Sequence, residues 1–275
     1  MRLVNTARTL TVGLAAALSG ALVACGGSAA GPSTSASSGA SSGAATTSTN
    51  AAAATTTAPA ANTGVSNGQT YTVTRSTTGD ATPDGTGRWT LVVDTISGGD
   101  ARVADAFNRA VQASAQGQLD PVKRDAGNDG TWSFDTKPEI FFGSAAVSEL
   151  ISGLYNHVPS AHPVNYVSTV VIDSRSATPI TLKDLFSDEQ AGLNRLSQQT
   201  KQLLPAVMGV GESPMPDAPG NAPVEANFAN WIPTPSGLEI HFADYQFAHG
   251  LPVLTVPWSA LDDLLAPGMA ALRQP

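Results

Sequence analysis

Two long segments of the chain carry apolar residues at helical spacing. In residues 100–116 the apolar positions recur every three, four or seven residues, at Val103, Phe107, Ala110 and Val111. Residues 188–204 repeat this spacing at Leu193, Leu196, Leu203 and Leu204. We therefore predict two long helices. Asp100 would cap the first, which Gly117 and Pro121 would bound, and Pro205 would end the second.

Alternating or continuous apolar runs predict strands in much of the remaining chain. These runs are residues 71–74, 88–96, 131–134, 139–142, 147–158, 166–172, 227–232, 238–242 and 251–256. Residues 77–85 read as a turn, and Pro138 is expected to break the strand in which it lies. Both faces of residues 147–158 are apolar, so this strand should lie inside the sheet. The predicted strands and helices do not alternate in a regular βαβ order. The predicted fold class is therefore α+β, with a largely antiparallel sheet and two long helices.

The longest apolar run, roughly residues 9–23, lies near the start of the chain. Arg2 and Arg8 precede it, and Leu22-Val23-Ala24-Cys25 ends it, which is the order of charge, apolar stretch and small residue in a secretory signal peptide. The run is shorter than the ~20 residues that span a bilayer. The tetrapeptide resembles a bacterial lipobox, whose cysteine is lipidated. An uncleaved anchor, or an ordinary cleavage site beside an incidental cysteine, would give the same pattern.

Cys25 is the single cysteine of the chain, so no disulfide within the chain is possible. We predict that residues 1–24 are a signal peptide and that Cys25 carries the lipid. The mature protein would then be anchored at the outer face of the cytoplasmic membrane and face the cell envelope.

Residues 26–67 consist almost entirely of Gly, Ala, Ser, Thr, Pro and Asn, and no charged residue occurs between Arg8 and Arg75. Such a segment has too few large apolar groups to offset an ordering entropy of ~1–2 kcal/mol per residue. We read residues 25–68 as a disordered tether, which is either a bare spacer or O-glycosylated. The folded domain is predicted over residues 69–275, with an N-terminal part at about 69–175 and a C-terminal part at 176–268.

The chain is acidic, with 14 Lys+Arg against 22 Asp+Glu and a net charge of −8. Removal of a signal peptide that contains two arginines would bring the mature charge to −10. A broad basic surface for nucleic acid is therefore not expected.

Four histidines are the candidate metal ligands: His157, His162, His241 and His249. Their spacings differ from the i, i+4 helical pair of zinc proteases, and hydrogen bonds to loop backbone are the simpler interpretation. Phosphate-binding and dinucleotide-binding glycine loops do not occur in the sequence either. We predict no metal and no cofactor.

A serine hydrolase site stays open as an alternative. The sequence contains no G-x-S-x-G motif, but triads are recognised by geometry rather than by order along the chain. The candidates are Ser144 or Ser160, with His162 or His241 and a carboxylate such as Asp244.

Aromatic side chains give a further signal, because Trp and Tyr stack on sugar rings and anchor protein interfaces. The larger ones are Trp132, Tyr155, Tyr166, Trp231, Tyr245 and Trp258. Packing in the core is the competing interpretation for each of them.

Two groups of motifs carry a resemblance to a known family. The first joins Ser160-Ala161-His162-Pro163 to Ile180-Thr181-Leu182-Lys183-Asp184-Leu185-Phe186. The second joins Gly237-Leu238-Glu239-Ile240-His241-Phe242 to Tyr245, Gly250 and Val256-Pro257-Trp258. Together they resemble a family that includes the extracytoplasmic domain of the lysozyme-binding anti-sigma factor RsiV, accessory domains of a peptidoglycan deacetylase, and MPT-type mycobacterial immunogenic antigens.

The resemblance implies an α+β domain outside the membrane, with a β-grasp-like C-terminal part and no established catalytic constellation. The cytoplasmic and transmembrane parts of RsiV have no counterpart in this sequence, nor does a deacetylase domain. We therefore predict a lipoprotein with a non-catalytic binding domain, whose partner would be peptidoglycan, another glycan or a lysozyme-like protein. The candidate binding residues are His162, Tyr166, His241, Tyr245 and His249. The alternative is a weak esterase or cell-wall hydrolase that uses Ser/His/Asp.

Overall fold

A computed structural model describes residues 62–126, 130–209 and 218–274. The interpretations placed on residues 1–61, including the lipidation of Cys25, lie outside the described residues. Within the described ranges, no helix is both long enough and apolar enough to cross a membrane.

A six-stranded sheet forms the N-terminal part, and its strands lie in chain order. They are β1 (Thr63–Ser66), β2 (Gln69–Ala81), β3 (Gly87–Gly98), β4 (Thr131–Phe142), β5 (Ala146–Val158) and β6 (Val164–Asp173). All neighbours are antiparallel except β3 and β4, which are parallel because helix α1 (Ala101–Asp125) crosses over between them. β5 lies between β4 and β6, as expected from its two apolar faces.

The C-terminal part contains a three-stranded antiparallel sheet and two helices. The elements are α2 (Leu182–Leu185), α3 (Glu189–Val207), β7 (Trp231–Thr234), β8 (Gly237–His241) and β9 (Val253–Pro257). The described residues of this part also form four short 3₁₀ segments: Pro219–Asn221, Glu225–Asn227, Trp258–Ala260 and Met269–Arg273. The predicted α+β class, the largely antiparallel sheet and the two long helices are confirmed.

The apolar faces of the two long helices cover different cores. Phe107 of α1 and Phe134 of β4 belong to the first core, and Leu196 of α3 and Ile240 of β8 belong to the second. The two cores meet at β6, where Val171 belongs to the second core and its neighbour Ile172 to the first. This division follows from the strand geometry, because successive side chains point to opposite faces.

Both long helices continue through the prolines that were expected to bound or end them. Pro121 lies inside α1 and Pro205 lies inside α3. A proline removes its own amide donor and crowds the preceding turn, at a cost of about 3 kcal/mol. In α1 this cost is offset by packing on both sides of the proline, where Leu119 and Val122 are buried. Tertiary contacts therefore override the local stop signal.

Strand boundaries also differ from those expected. β4 is continuous through Pro138, because β3 pairs with β4 only as far as Asp135 and leaves one edge of β4 without a strand partner. Proline is tolerated at such an edge. β2 extends to Ala81, so residues 77–81 of the predicted turn are strand.

Two further boundaries differ from those expected: one strand begins later in the chain, and the ordered structure begins earlier. The strand expected at 227–232 begins only at Trp231, since Asn227 Nδ2 donates to the carbonyls of Pro219 and Ala222 and holds a turn there. Ordered structure begins before residue 69, because β1 pairs with β2 and Ser66 Oγ donates to the Gly143 carbonyl at 2.6 Å.

Beyond the short parallel contact, β3 and β4 separate, and side chains take over the hydrogen bonds of the missing ladder. Thr136 Oγ1 lies 2.7 Å from the Val92 nitrogen and 2.8 Å from the Val92 carbonyl oxygen. Asn108 of α1 accepts from the Ile96 amide at 2.8 Å and donates to the Ile96 carbonyl at 2.9 Å. The backbone groups of Val92 and Ile96 are thereby satisfied on the edge of β3 that faces away from β2.

Glu149 of β5 fills the middle of this separation. It is fully buried, and its Oε1 accepts from the Asp94 amide at 3.1 Å. Burial raises the pKa of Glu149 to about 8; the charge of Asp94 adds to this rise, and that of Arg75 opposes it. Asp94 itself is held in a two-point ion pair by Arg75, with N–O distances of 2.9 Å.

Candidate functional site

Three of the five candidate binding residues converge on one surface. His162 lies in the loop between β5 and β6, and Tyr245 and His249 lie in the loop between β8 and β9. The ring centroid of His249 lies 4.8 Å from that of His162 and 5.1 Å from that of Tyr245. Tyr245 Oη lies 3.2 Å from His162 Nε2. These three residues are called the ring cluster.

A buried carboxylate, Asp244, connects the two loops beneath the ring cluster. One of its oxygens accepts from the Gly250 amide at 2.7 Å and lies 3.0 Å from His249 Nδ1. The other oxygen accepts from the amide and from the side-chain Nδ2 of Asn165, at 2.8 and 3.0 Å. Asp244 therefore orients His249 and fixes the β8–β9 loop against the start of β6.

The environment of Asp244 favours its ionised form. Its side chain is only 3% exposed, and burial alone would raise the pKa. Hydrogen bonds from Asn165 and Gly250, together with the charge of His249, outweigh burial and hold the pKa below its ordinary value. The carboxylate is thus a charged acceptor at neutral pH.

Tyr245 occupies an unusual backbone conformation for an exposed aromatic residue. Its φ is 63°, in the left-handed region, and its side chain is 54% exposed. This conformation costs on the order of 1–3 kcal/mol in a residue other than glycine. The loop enforces it, since the Tyr245 amide donates to the Ala248 carbonyl and Gln246 Nε2 donates to the carbonyls of Gly220 and Asn227.

The other two candidate binding residues make contacts within the folded domain instead. Tyr166 on β6 is partly buried and packs edge-on against Phe134, with ring centroids 5.5 Å apart, and burial raises its pKa. His241 at the end of β8 is 7% exposed, and its Nε2 lies 2.9 Å from Glu239 Oε1. Neither side chain contacts the ring cluster among the contacts of the described residues.

The serines considered for a hydrolase site have other partners. Ser144 Oγ donates to the Ala271 carbonyl at 2.9 Å, and Ser160 Oγ lies 3.1 Å from His157 Nδ1. His162 Nδ1 lies 3.1 Å from the Pro163 carbonyl oxygen, a contact with loop backbone. Asp244 pairs with His249 rather than with His162 or His241. The described parts of the chain also hold no group of three or more His, Cys, Asp or Glu arranged for a metal ion.

Asn165 is the residue of this site that the sequence did not indicate. A single Asn at the start of a strand gives no signal of a contact that lies 79 residues further along the chain. Asp244 was indicated by the sequence only as a possible triad carboxylate. Its spacing to His249 and Gly250 within one short loop was the available signal.

Comparisons with known proteins place this fold among uncharacterised domains. A domain family described as "Protein of unknown function (DUF3298)" matches residues 183–259. A DUF3298 family protein from Pseudomonas aeruginosa aligns with a TM-score of 0.52 and 14% identity, over 74% of this chain and 96% of that chain. A DUF3298 family member from Bacteroides fragilis gives a TM-score of 0.50 and 11% identity, over 74% and 97%. At such identities the similarity shows the fold alone. No curated protein sequence matches the chain significantly.

Proposed function

We propose that the protein is a cell-envelope lipoprotein that presents a non-catalytic binding domain, and that the ring cluster is its contact surface. The ligand class is a component of the envelope surroundings, either a glycan such as peptidoglycan or a lysozyme-like protein. The more specific relationship to RsiV and the MPT-type antigens belongs to this proposal as well.

The arrangement held by Asp244 carries the proposal. A solvent-exposed Tyr ring in a strained loop, flanked by two imidazoles, places apolar faces and hydrogen-bonding atoms on one surface. Aromatic residues of this kind stack on sugar rings and act as hot spots in protein interfaces. Because the loop is already fixed by Asp244 and Gln246, little ordering entropy would be lost on binding.

The location rests on the N-terminal sequence. The basic, apolar and small-residue zones before Cys25, and the neutral segment after it, support a domain carried on a lipid tether. A single acyl chain binds a membrane only marginally, so stable anchoring would use the two or three chains typical of such cysteines. The hydrolase alternative draws less support, since Ser144 Oγ donates to a backbone carbonyl and Ser160 Oγ pairs with His157 rather than with His162 or His241.

Binding to two immobilised ligands, peptidoglycan fragments and lysozyme, tests the proposal. Tyr245→Ala should weaken capture of the true ligand by roughly 30-fold, the effect of removing a ~2 kcal/mol hot spot. Val65→Ala is the control, because it truncates an equally exposed apolar side chain on β1. Failure of the wild type to bind either ligand, or equal weakening by both substitutions, would contradict the assignment.

A further inference from the structure

A second concave surface lies where β3, β4 and β5 come together, at the turn between β2 and β3. It encloses a cavity of about 410 Å³. Its polar lining comprises Thr86, Arg88, Thr131, Ser133 and Asn156.

The strand register places three of these side chains in one row. Arg88 of β3 lies opposite Ser133 of β4, and Ser133 lies opposite Asn156 of β5. Directly opposed residues share a face of the sheet, so a guanidinium, a hydroxyl and an amide point to the same side. The adjacent residue Trp89 faces α1, where Lys123 Nζ lies 3.4 Å from its ring centroid. The row therefore lies on the face of the sheet opposite α1.

Arg88 differs from most arginines of this acidic protein. Six of the eight described arginines form ion pairs with carboxylates: Arg75, Arg102, Arg124, Arg175, Arg195 and Arg273. Arg88 and Arg109 have no carboxylate partner among the described residues, and only Arg88 lines this cavity. The guanidinium is thus available for an external anion.

The floor of the cavity is backed by packed aromatic residues. Trp132 borders the cavity, but its side chain is buried on the α1 side of the sheet and stacks on Trp89, with ring centroids 6.1 Å apart. Gly87 permits this packing, since a Cβ at that position would lie 2.1 Å from the indole. The strands that carry the polar row are therefore held in place by the core behind them, and the row itself offers hydroxyl and amide groups that suit the hydroxyl groups of a sugar.

We propose that this cavity binds an acidic sugar. The Arg88 guanidinium holds the carboxylate through two parallel hydrogen bonds, a geometry that a planar fork of donors favours. Ser133 and Asn156 contact neighbouring hydroxyl groups, for which their side chains offer both donors and acceptors. This site is separate from the ring cluster and does not depend on the function proposed for it.

Titration of the purified protein with D-glucuronate, followed by NMR, tests the site, and D-glucose serves as the neutral probe. Glucuronate should bind saturably and perturb the resonances of Arg88, Ser133 and Asn156, and glucose should bind at least about tenfold more weakly, because a charged hydrogen-bond pair is lost. Arg88→Gln should weaken glucuronate binding by about the same factor. Higher salt should also weaken it.

Arg109→Gln is the matched control, because it removes the other unpaired described arginine, on α1, without altering the cavity. Tyr245→Ala should leave glucuronate binding unchanged, so failure of this site and failure of the ring cluster are distinguishable. The inference is overturned if glucuronate does not bind, if glucose binds equally well, or if Arg88→Gln binds like wild type. An equal loss with Arg109→Gln overturns it too.

Discussion

The carboxyl group of Glu149 on β5 accepts a hydrogen bond from the backbone amide of Asp94 on β3, although β4 lies between these two strands in the sheet. The contact exists because β3 and β4 separate after Asp135. A fully buried ionisable side chain therefore supplies a hydrogen bond that a neighbouring strand would otherwise make. Its second oxygen, Oε2, has no hydrogen-bond partner among the described residues.

Glu149 should make the stability of the fold depend on pH. Its pKa of about 8 in the folded state lies above the ordinary value of 4.5, so folding favours the protonated acid. The stabilising effect is complete below pH 4.5 and is lost as pH rises towards 8. Over that range the free energy of unfolding should fall by up to about 1.4 kcal/mol per pH unit relative to Glu149→Gln. Urea unfolding at intervals between pH 5 and 8 measures this difference.

Glu149→Gln is informative because glutamine keeps an acceptor for the Asp94 amide but cannot ionise. Glu149→Ala removes the acceptor as well and should be less stable than Glu149→Gln at every pH, by about 1–3 kcal/mol. Parallel pH profiles for wild type and Glu149→Gln would show that Glu149 is ionised in the folded protein.

Asp244→Asn should loosen the ring cluster and lower stability at neutral pH by about 1–3 kcal/mol, because the buried donors of Asn165 lose a charged acceptor. The folded-state pKa of Asp244 lies below its ordinary value of 3.8, so its contribution is present above that pH and is lost as pH falls. The difference between wild type and variant should therefore shrink between pH 7 and pH 3, as measured by chemical unfolding. A difference that grows on acidification would contradict this account.

Two glycine substitutions should have opposite effects. Gly87→Ala places a Cβ 2.1 Å from the Trp132 indole and should destabilise the fold by about 1–3 kcal/mol. Gly117→Ala lies inside α1 with nothing within 4 Å of the new Cβ, and should stabilise it by about 0.5–1 kcal/mol. Thermal unfolding of both variants gives the comparison, and a stable Gly87→Ala protein would argue against the tight packing under Trp132.

Cys25→Ala should move the protein out of the membrane fraction without changing the folded domain. Lipid attachment at this residue is the only anchor that the sequence predicts, since the apolar run before it is too short to span a bilayer. Membrane fractionation checks the location of the variant, and circular dichroism checks that its folded domain is unchanged. Persistent membrane association of the variant would refute lipidation as the means of anchoring.

The elements whose signals are local could be predicted from the sequence. The capping box of α2 is an example, since Thr181 and Asp184 are only three residues apart and exchange hydrogen bonds. The convergence of His162 with the β8–β9 loop was reached through a family resemblance and not through spacing. Three of the five candidate residues meet there.

What the sequence could not supply depends on long-range packing. Pro121 and Pro205 are stop signals only while the residues beside them are free of tertiary contacts, and here Leu119, Val122 and Leu204 are buried. The separation of β3 from β4 leaves no trace in the sequence, since Thr136 of β4 and Glu149 of β5 occupy ordinary alternating positions. The Asp244–Asn165 contact joins residues far apart in the chain for the same reason.

Val171 and Ile172 are adjacent in β6 but belong to different cores. The segment that the family model matches therefore differs from the segment that must fold together. The family match covers residues 183–259, but the core around α3 and β8 also draws on Ala146 and Val171 before that range and on Leu272 after it. A fragment cut at the limits of the match would expose one face of its core to water and lose the strand that covers it. The sequence module and the smallest autonomous folding unit therefore have different boundaries. A truncated protein intended for crystallisation or for display should retain β5 and β6 together with the C-terminal sheet.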